Sequence, residues 1–118
     1  MLQWEVIMST ENELYLCIGS SLYSAAPNNA ETVLLDAELS PESDHAKFSF
    51  DYIDNAGKKN WFTPESAKTD SELMDCLVKL RHYYTENNLT NGRPAWHGCE
   101  VTLDVEKMKL SIDFRYDD

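Results

Sequence analysis

Residues 99–116 decide the fold, and they read CEVTLDVEKMKLSIDFRY. Apolar side chains alternate with polar ones on both sides of Glu106 and Lys107, and this period of two is typical of strands with one buried face. We therefore predict a hairpin that turns at Glu106 and Lys107. Because its outer positions are mostly charged or hydroxylic, we expect an antiparallel sheet with one face in water.

Three earlier segments extend the predicted sheet. Residues 32–39 and 47–52 show the same alternation, and each predicts a half-buried strand. A short strand at 59–63 follows a turn rich in residues that tolerate positive φ. Of the neighbours Trp61 and Phe62, one side chain must point away from the core.

Two segments have helical periodicity instead. The first begins near Thr10, at a Thr-x-x-Glu capping box, and ends before Pro27. The second begins at another capping box that opens at Thr69, and it ends in the polar run 86–92. Its cations, Arg81 among them, come late in the helix, which is the order that complements the helix dipole.

The elements follow one another in the order α-β-β-β-α-β-β. Both helices have a single apolar stripe, so the fold class we predict is a two-layer α+β domain with both helices packed on one face of an antiparallel sheet. A chain of 118 residues has the size of one domain. We assign residues 10–118 to this domain and residues 1–9 to an N-terminal extension, with either Met1 or Met8 as the natural start.

The charge balance restricts the kinds of partner. There are 21 acidic and 10 basic residues, which gives a formal net charge of −11. Nucleic acids and anionic membranes would repel such a surface, and the cations are too scattered to form a basic stripe. No apolar run has the length of a membrane span. We therefore expect that the protein binds neither nucleic acid nor a membrane. A basic protein is the natural complement, although charge that serves only solubility is the other interpretation.

The cysteines indicate the compartment. Cys17, Cys76 and Cys99 are odd in number and widely separated, so they predict neither a disulfide framework nor a paired zinc-ligand spacing. A reducing cytoplasm fits this usage best. Cys99 with His97 and His82 would need further ligands to hold a metal, and Cys99 is in phase with the apolar side of the hairpin. We therefore predict no metal and no cofactor.

The outer face of the predicted sheet is the candidate binding surface, because alternation places its carboxylates on a rigid platform. To them we add Trp61, whose large ring could project into a partner. The candidate binding residues are Asp36, Glu38, Asp51, Trp61, Glu100, Asp104 and Asp113. An ordinary solvated face is the alternative interpretation. Trp96 either anchors its loop on the core or contacts a partner, and anchoring is the commoner role.

Catalysis is the less favoured use of these carboxylates. Acid–base and metal chemistry need a partly desolvated pocket in which two carboxyl groups have different pKa values. The carboxylates predicted here lie on strands that face water. The glycines are isolated and do not form a phosphate-binding loop. We predict no enzymatic activity and no catalytic residues, and the alternative is a small metal-dependent nuclease or hydrolase.

Several segments together carry a resemblance that covers residues 10–118. They are Leu14-Tyr15 with Ile18, Leu22 and Pro27, then Phe48 to Tyr52, Leu80-Arg81, Pro94, Trp96, Val101 to Leu103 and Lys109 to Asp117. In these segments the chain resembles the YezG-like family of bacterial immunity proteins, the antidotes encoded beside polymorphic or contact-dependent toxins. The resemblance implies a cytoplasmic protein that binds and blocks a cognate toxin domain. Such toxins are often nucleases with basic clefts, which an acidic antidote complements.

Overall fold

The computed structural model describes residues 10–116, which form two helices and five strands. The elements are α1 (Thr10–Ala25), β1 (Ala30–Leu39), β2 (Ala46–Asp54), β3 (Lys59–Trp61), α2 (Ala67–Glu86), β4 (Gly98–Asp104) and β5 (Lys109–Arg115). This order confirms the predicted α+β class. The predicted extension at residues 1–9 and the capping side chain of Thr10 lie outside what the structure describes.

The strands form one antiparallel sheet in the order β3-β2-β1-β4-β5. Strand β1 is central and pairs with β2 on one side and β4 on the other, so that Leu35 faces Phe50 and Val101 across the sheet. The predicted hairpin is formed by β4 and β5. Its turn contains Met108, whose φ of 53° lies in the left-handed region.

Both helices pack on the same face of the sheet and enclose the core. The fully buried large side chains are Ile18 and Leu22 of α1, Leu73, Leu77 and Leu80 of α2, Val33 and Leu35 of β1, Val101 and Leu103 of β4, and Trp96. The Trp96 ring is 0% exposed, and it stacks on Phe114 with 4.6 Å between the ring centroids. Trp96 therefore anchors its loop on the core, as expected from the commoner role of such a ring.

The start of α2 differs from the prediction. The helix begins at Ala67, because Ser66 has extended backbone and its Oγ accepts a hydrogen bond from the backbone N–H of Lys68 at 3.1 Å. A serine in this conformation is a favourable N-cap, and it precedes the Thr69 box by three residues. Thr69 is thus an internal residue of the helix. The predicted end is confirmed, with Asn87 at the C-cap.

The inference that the cysteines form no disulfide is wrong. Cys17 of α1 and Cys76 of α2 are joined by a disulfide across the two helices, and their Cα atoms lie 6.5 Å apart. The residues are 59 positions apart in the chain, and helix packing alone brings them together. Cys99 is free and buried in the core, as its phase in the hairpin predicted. With Cys17 and Cys76 bonded, cysteine usage no longer argues for a reducing compartment.

Candidate protein-binding face

The sheet face that points away from the helices is referred to below as the open face. Its side chains are Thr32, Leu34, Asp36 and Glu38 of β1, Lys47, Ser49, Asp51 and Ile53 of β2, Lys59 and Trp61 of β3, Glu100, Thr102 and Asp104 of β4, and Lys109, Ser111, Asp113 and Arg115 of β5. The seven residues predicted to bind all belong to this set. Alternation along each strand and the antiparallel register together place them on one side.

Carboxylates form a row across three neighbouring strands. Asp36 of β1 pairs in register with Glu100 of β4, and Glu100 pairs with Asp113 of β5. Directly opposed like charges repel each other in a sheet, so this row is unfavourable for the isolated protein. Among the described residues, no hydrogen bond or ion pair involves the carboxylates of Glu100 or Asp113. These two carboxylates are therefore available to a cationic partner.

A shallow hollow of about 300 Å³ lies beside this row. Its lining includes Leu34, Thr102, Asp51 and Lys59. Beyond Asp51, the Trp61 ring is 78% exposed on the short edge strand β3, whereas the neighbouring Phe62 ring packs against the core. The open face thus combines carboxylates with apolar contact area at its edge.

Arg115 connects edge strand β5 to central strand β1 across the intervening strand β4. Its Nη2 donates to Asp36 Oδ1, to Glu38 Oε2 and to the carbonyl oxygen of Ala37, at 2.9 Å in each case. Because β4 lies between β5 and β1, the Arg115 side chain must cross β4 to reach these acceptors. The crossing point is Gly98, which pairs in register with both Arg115 and Glu38.

Gly98 makes this crossing possible because it has no side chain. A Cβ at this position would lie 2.6 Å from the Ala37 carbonyl oxygen and 2.7 Å from Arg115 Nη2, and it would also collide with Glu38. The side chains of Arg115 and Glu38 could move, but the backbone carbonyl of a central strand could not without distorting the sheet. No local pattern in the sequence indicates this role of Gly98.

Glu38 is held by Arg115 and His97. Arg115 donates to one of its oxygens, and His97 Nδ1 donates to the other. Partial burial alone would raise the pKa of Glu38, but the hydrogen bonds from Arg115 and His97 lower it below its usual value of 4.5. In turn, the hydrogen bonds to Glu38 and Asp36 raise the pKa of Arg115. Asp36 and Glu38 are therefore structural partners of Arg115 as well as surface charges.

Asp104 also has a local structural contact. Its Oδ1 accepts a hydrogen bond from the backbone N–H of Lys107 at 3.0 Å and so stabilises the turn between β4 and β5. Of the seven predicted residues, Asp36, Glu38 and Asp104 thus have intramolecular partners. The open face carries six carboxylates and four lysine or arginine side chains, so only part of the net charge of −11 lies on it.

Other kinds of site have less support in residues 10–116. In this part of the chain, no group of three or more His, Cys, Asp and Glu side chains is arranged to hold a metal ion. Neither described helix is long and apolar enough to cross a membrane. Compared with known proteins, the chain matches no family model and no curated protein. The YezG-like resemblance therefore rests on the segments quoted above and stays a prediction.

Proposed function

We propose that this protein is an immunity protein that binds a cognate toxin domain of a contact-dependent or polymorphic toxin system through its open face and thereby neutralises the toxin. The observation that carries the proposal is the convergence of seven residues, six carboxylates and the exposed Trp61, on one rigid surface. A basic nuclease domain is the partner whose charge this surface complements. A cytoplasmic location belongs to the same proposal.

The two kinds of contact would have different tasks. Glu100 and Asp113, which have no described intramolecular partner, would meet cations of the toxin and speed up association. Trp61 would be desolvated in the complex and slow dissociation, since large aromatic rings are over-represented among the residues that dominate binding energy. Arg115 holds Asp36 and Glu38 in place before the partner arrives, so little conformational freedom remains to be lost there on binding.

The first experiment tests the biological role. The product of the neighbouring reading frame is co-expressed with this protein, and both complex formation and cell growth are measured. We expect the two proteins to co-purify and the toxicity of the neighbour to disappear. A neighbouring product that neither binds nor loses toxicity in the presence of this protein would contradict the proposal.

The second experiment tests the face. The double variant Glu100→Lys and Asp113→Lys should slow association by about tenfold at low salt, because it replaces steering by repulsion. The matched control is Glu13→Lys with Glu72→Lys, which changes the net charge equally on exposed helix positions away from the sheet. Equal association rates for both double variants, with both folded, would exclude the open face as the interface.

Trp61→Ala tests the apolar contact separately. We expect the dissociation constant to rise by about 30-fold, the effect of losing about 2 kcal/mol at a binding hot spot. The exposed Leu89 provides a control, because Leu89→Ala also removes an exposed apolar side chain but lies in the loop after α2. An unchanged dissociation constant for Trp61→Ala would move the contact away from β3.

A further inference from the structure

Arg81 of α2 is a buried cation with an unusual set of partners. Its side chain is 7% exposed, and Nη2 donates to the carbonyl oxygen of Ser40 at 2.7 Å and to Ser43 Oγ at 2.6 Å. Both acceptors are neutral. No described carboxylate forms an ion pair with Arg81, and burial lowers the pKa of its guanidinium without an opposing charge. Burying an uncompensated charge is unfavourable, so a negatively charged group bound to Arg81 would offset this cost.

Several donors of this guanidinium remain unused. An arginine has five N–H groups, and the two described hydrogen bonds both come from Nη2. Among the described side chains, only Trp96 Nε1 is both sealed from solvent and without a hydrogen-bond partner. The Nε–H and Nη1–H groups of Arg81 are therefore accessible to solvent, although the residue as a whole is buried.

Arg81 lines a groove of about 860 Å³ beside the end of α2 and the loop after β1. Pro41, Ser43, Asn87 and Ala95 also contribute to its lining. Two other basic side chains that line the groove have carboxylate partners. Lys79 pairs with Asp75 at 3.0 Å, and His82 pairs with Glu86 at 2.5 Å. Among the described basic side chains that line the groove, Arg81 is thus the one without a carboxylate partner.

We propose that the groove beside Arg81 is a binding site for a carboxylate group, which accepts hydrogen bonds from the unused donors of the guanidinium. The planar arginine fork matches the two oxygens of a carboxylate, and the hydrogen bonds to Ser40 and Ser43 fix its orientation. The carboxylate belongs either to a small organic acid or to a peptide terminus. This site is independent of the open face and of the proposed immunity function.

The chain provides its own controls for a direct test. It contains three arginines, Arg81, Arg93 and Arg115, and so gives three arginine side-chain Nε–H signals in a ¹⁵N-labelled sample. The guanidinium carbon of Arg93 lies 3.7 Å from the centroid of the Tyr116 ring, and Arg115 is paired with Asp36 and Glu38. Neither should respond specifically to an added carboxylate.

The full-length protein is titrated by NMR with sodium acetate, and separately with trialanine, against sodium chloride at matched ionic strength. We expect a saturable shift of the Arg81 Nε–H signal in at least one arm, with no saturable change for Arg93 or Arg115. Tighter binding of trialanine than of acetate would assign the site to a peptide terminus, and the reverse would assign it to a small acid. An Arg81 signal that responds to neither carboxylate more than to chloride overturns the proposal.

A variant of Arg81 provides a second test of the carboxylate site. Arg81→Lys keeps the positive charge but loses the planar fork, so it should weaken the carboxylate interaction by about tenfold or more. Circular dichroism must first show that this variant is folded, because Arg81 also holds the loop after β1. Undiminished carboxylate affinity in a folded Arg81→Lys protein would count against the proposal, and the wild-type titration decides the matter if the variant unfolds.

Discussion

The two sides of strand β1 have opposite environments within one segment of chain. Val33 and Leu35 point to the helices and are almost fully buried, whereas Asp36 and Glu38 lie on the open face. One side of the strand therefore contributes to the packed core, and the other side faces solvent. Arg115 is an exception on the open face, because its hydrogen bonds to Asp36 and Glu38 connect β5 to β1. The open face is therefore only partly free of structural roles.

The buried side should show the largest effect on stability. Leu77 is 0% exposed between the helices and the sheet, so Leu77→Ala should lower the free energy of unfolding by about 2 to 5 kcal/mol through lost burial and a residual cavity. Urea denaturation measures the change. Leu16→Ala on the exposed side of α1, where the side chain is 61% exposed, should change it by less than about 0.5 kcal/mol. Similar losses of unfolding free energy for both variants would contradict the expectation that the buried side contributes more to stability than the exposed side.

The next largest effect should come from the open face, at the crossing point of Arg115. Gly98→Ala should destabilise the protein by about 1 to 3 kcal/mol, because the new methyl group collides with the Ala37 carbonyl oxygen and displaces Arg115. Gly19→Ala is the matched control, since nothing lies within 4 Å of a Cβ there and alanine favours the helix by about 1 kcal/mol. A neutral Gly98→Ala would show that Arg115 does not need this gap.

A smaller effect should appear as a pH dependence. The folded pKa of Glu38 lies below its usual value of 4.5, so its ionisation stabilises the fold above this pH, and the stabilisation is lost as the pH falls through the folded pKa. Glu38→Gln should therefore reduce the loss of stability between neutral pH and about pH 3, by less than about 1 kcal/mol, since Glu38 is partly exposed. Urea midpoints at both pH values test this. Parallel pH profiles for both proteins would show that Arg115 and His97 do not stabilise the ionised form.

The smallest effect on stability is expected where the open face has no described internal partner. The double variant Glu100→Lys and Asp113→Lys should change the free energy of unfolding by less than about 0.5 kcal/mol. Thermal unfolding monitored by circular dichroism checks it. With Asp36→Lys, which breaks the contact with Arg115, the loss should be greater. If the double variant were the more destabilised protein, the distinction between free and structural carboxylates on this face would be wrong.

Much of the fold and of the candidate site could be predicted from periodicity. Alternation in residues 32–39 and 99–116 predicted both the strands and the side of each that faces water, because successive side chains of a strand point to opposite faces. The seven candidate residues could be assigned to one face for the same reason. Cys99 was also assigned correctly to the core, and of the two roles considered for Trp96 the structure shows the commoner one, anchoring on the core.

Local signals failed where two of them competed. Ser66 and Thr69 are both acceptable N-caps, and the sequence favoured Thr69 because Glu72 completes a capping box. The chain begins the helix at Ser66 instead, since Ala67 and Lys68 are good helix formers and extend it by a turn. Arg81 was placed only among the cations late in the helix, and its burial depends on the loop after β1.

The sequence by itself determined the type and order of the elements and the two faces of each strand, because these depend on side-chain periods within short segments. Only the tertiary structure decided which strands are neighbours. That choice places Asp36 beside Glu100 and lets Arg115 reach Glu38 over Gly98, and the packing of the two helices brings Cys17 to Cys76. These contacts join residues 59 to 77 positions apart, and their formation depends on how the helices and strands pack, which no local pattern encodes.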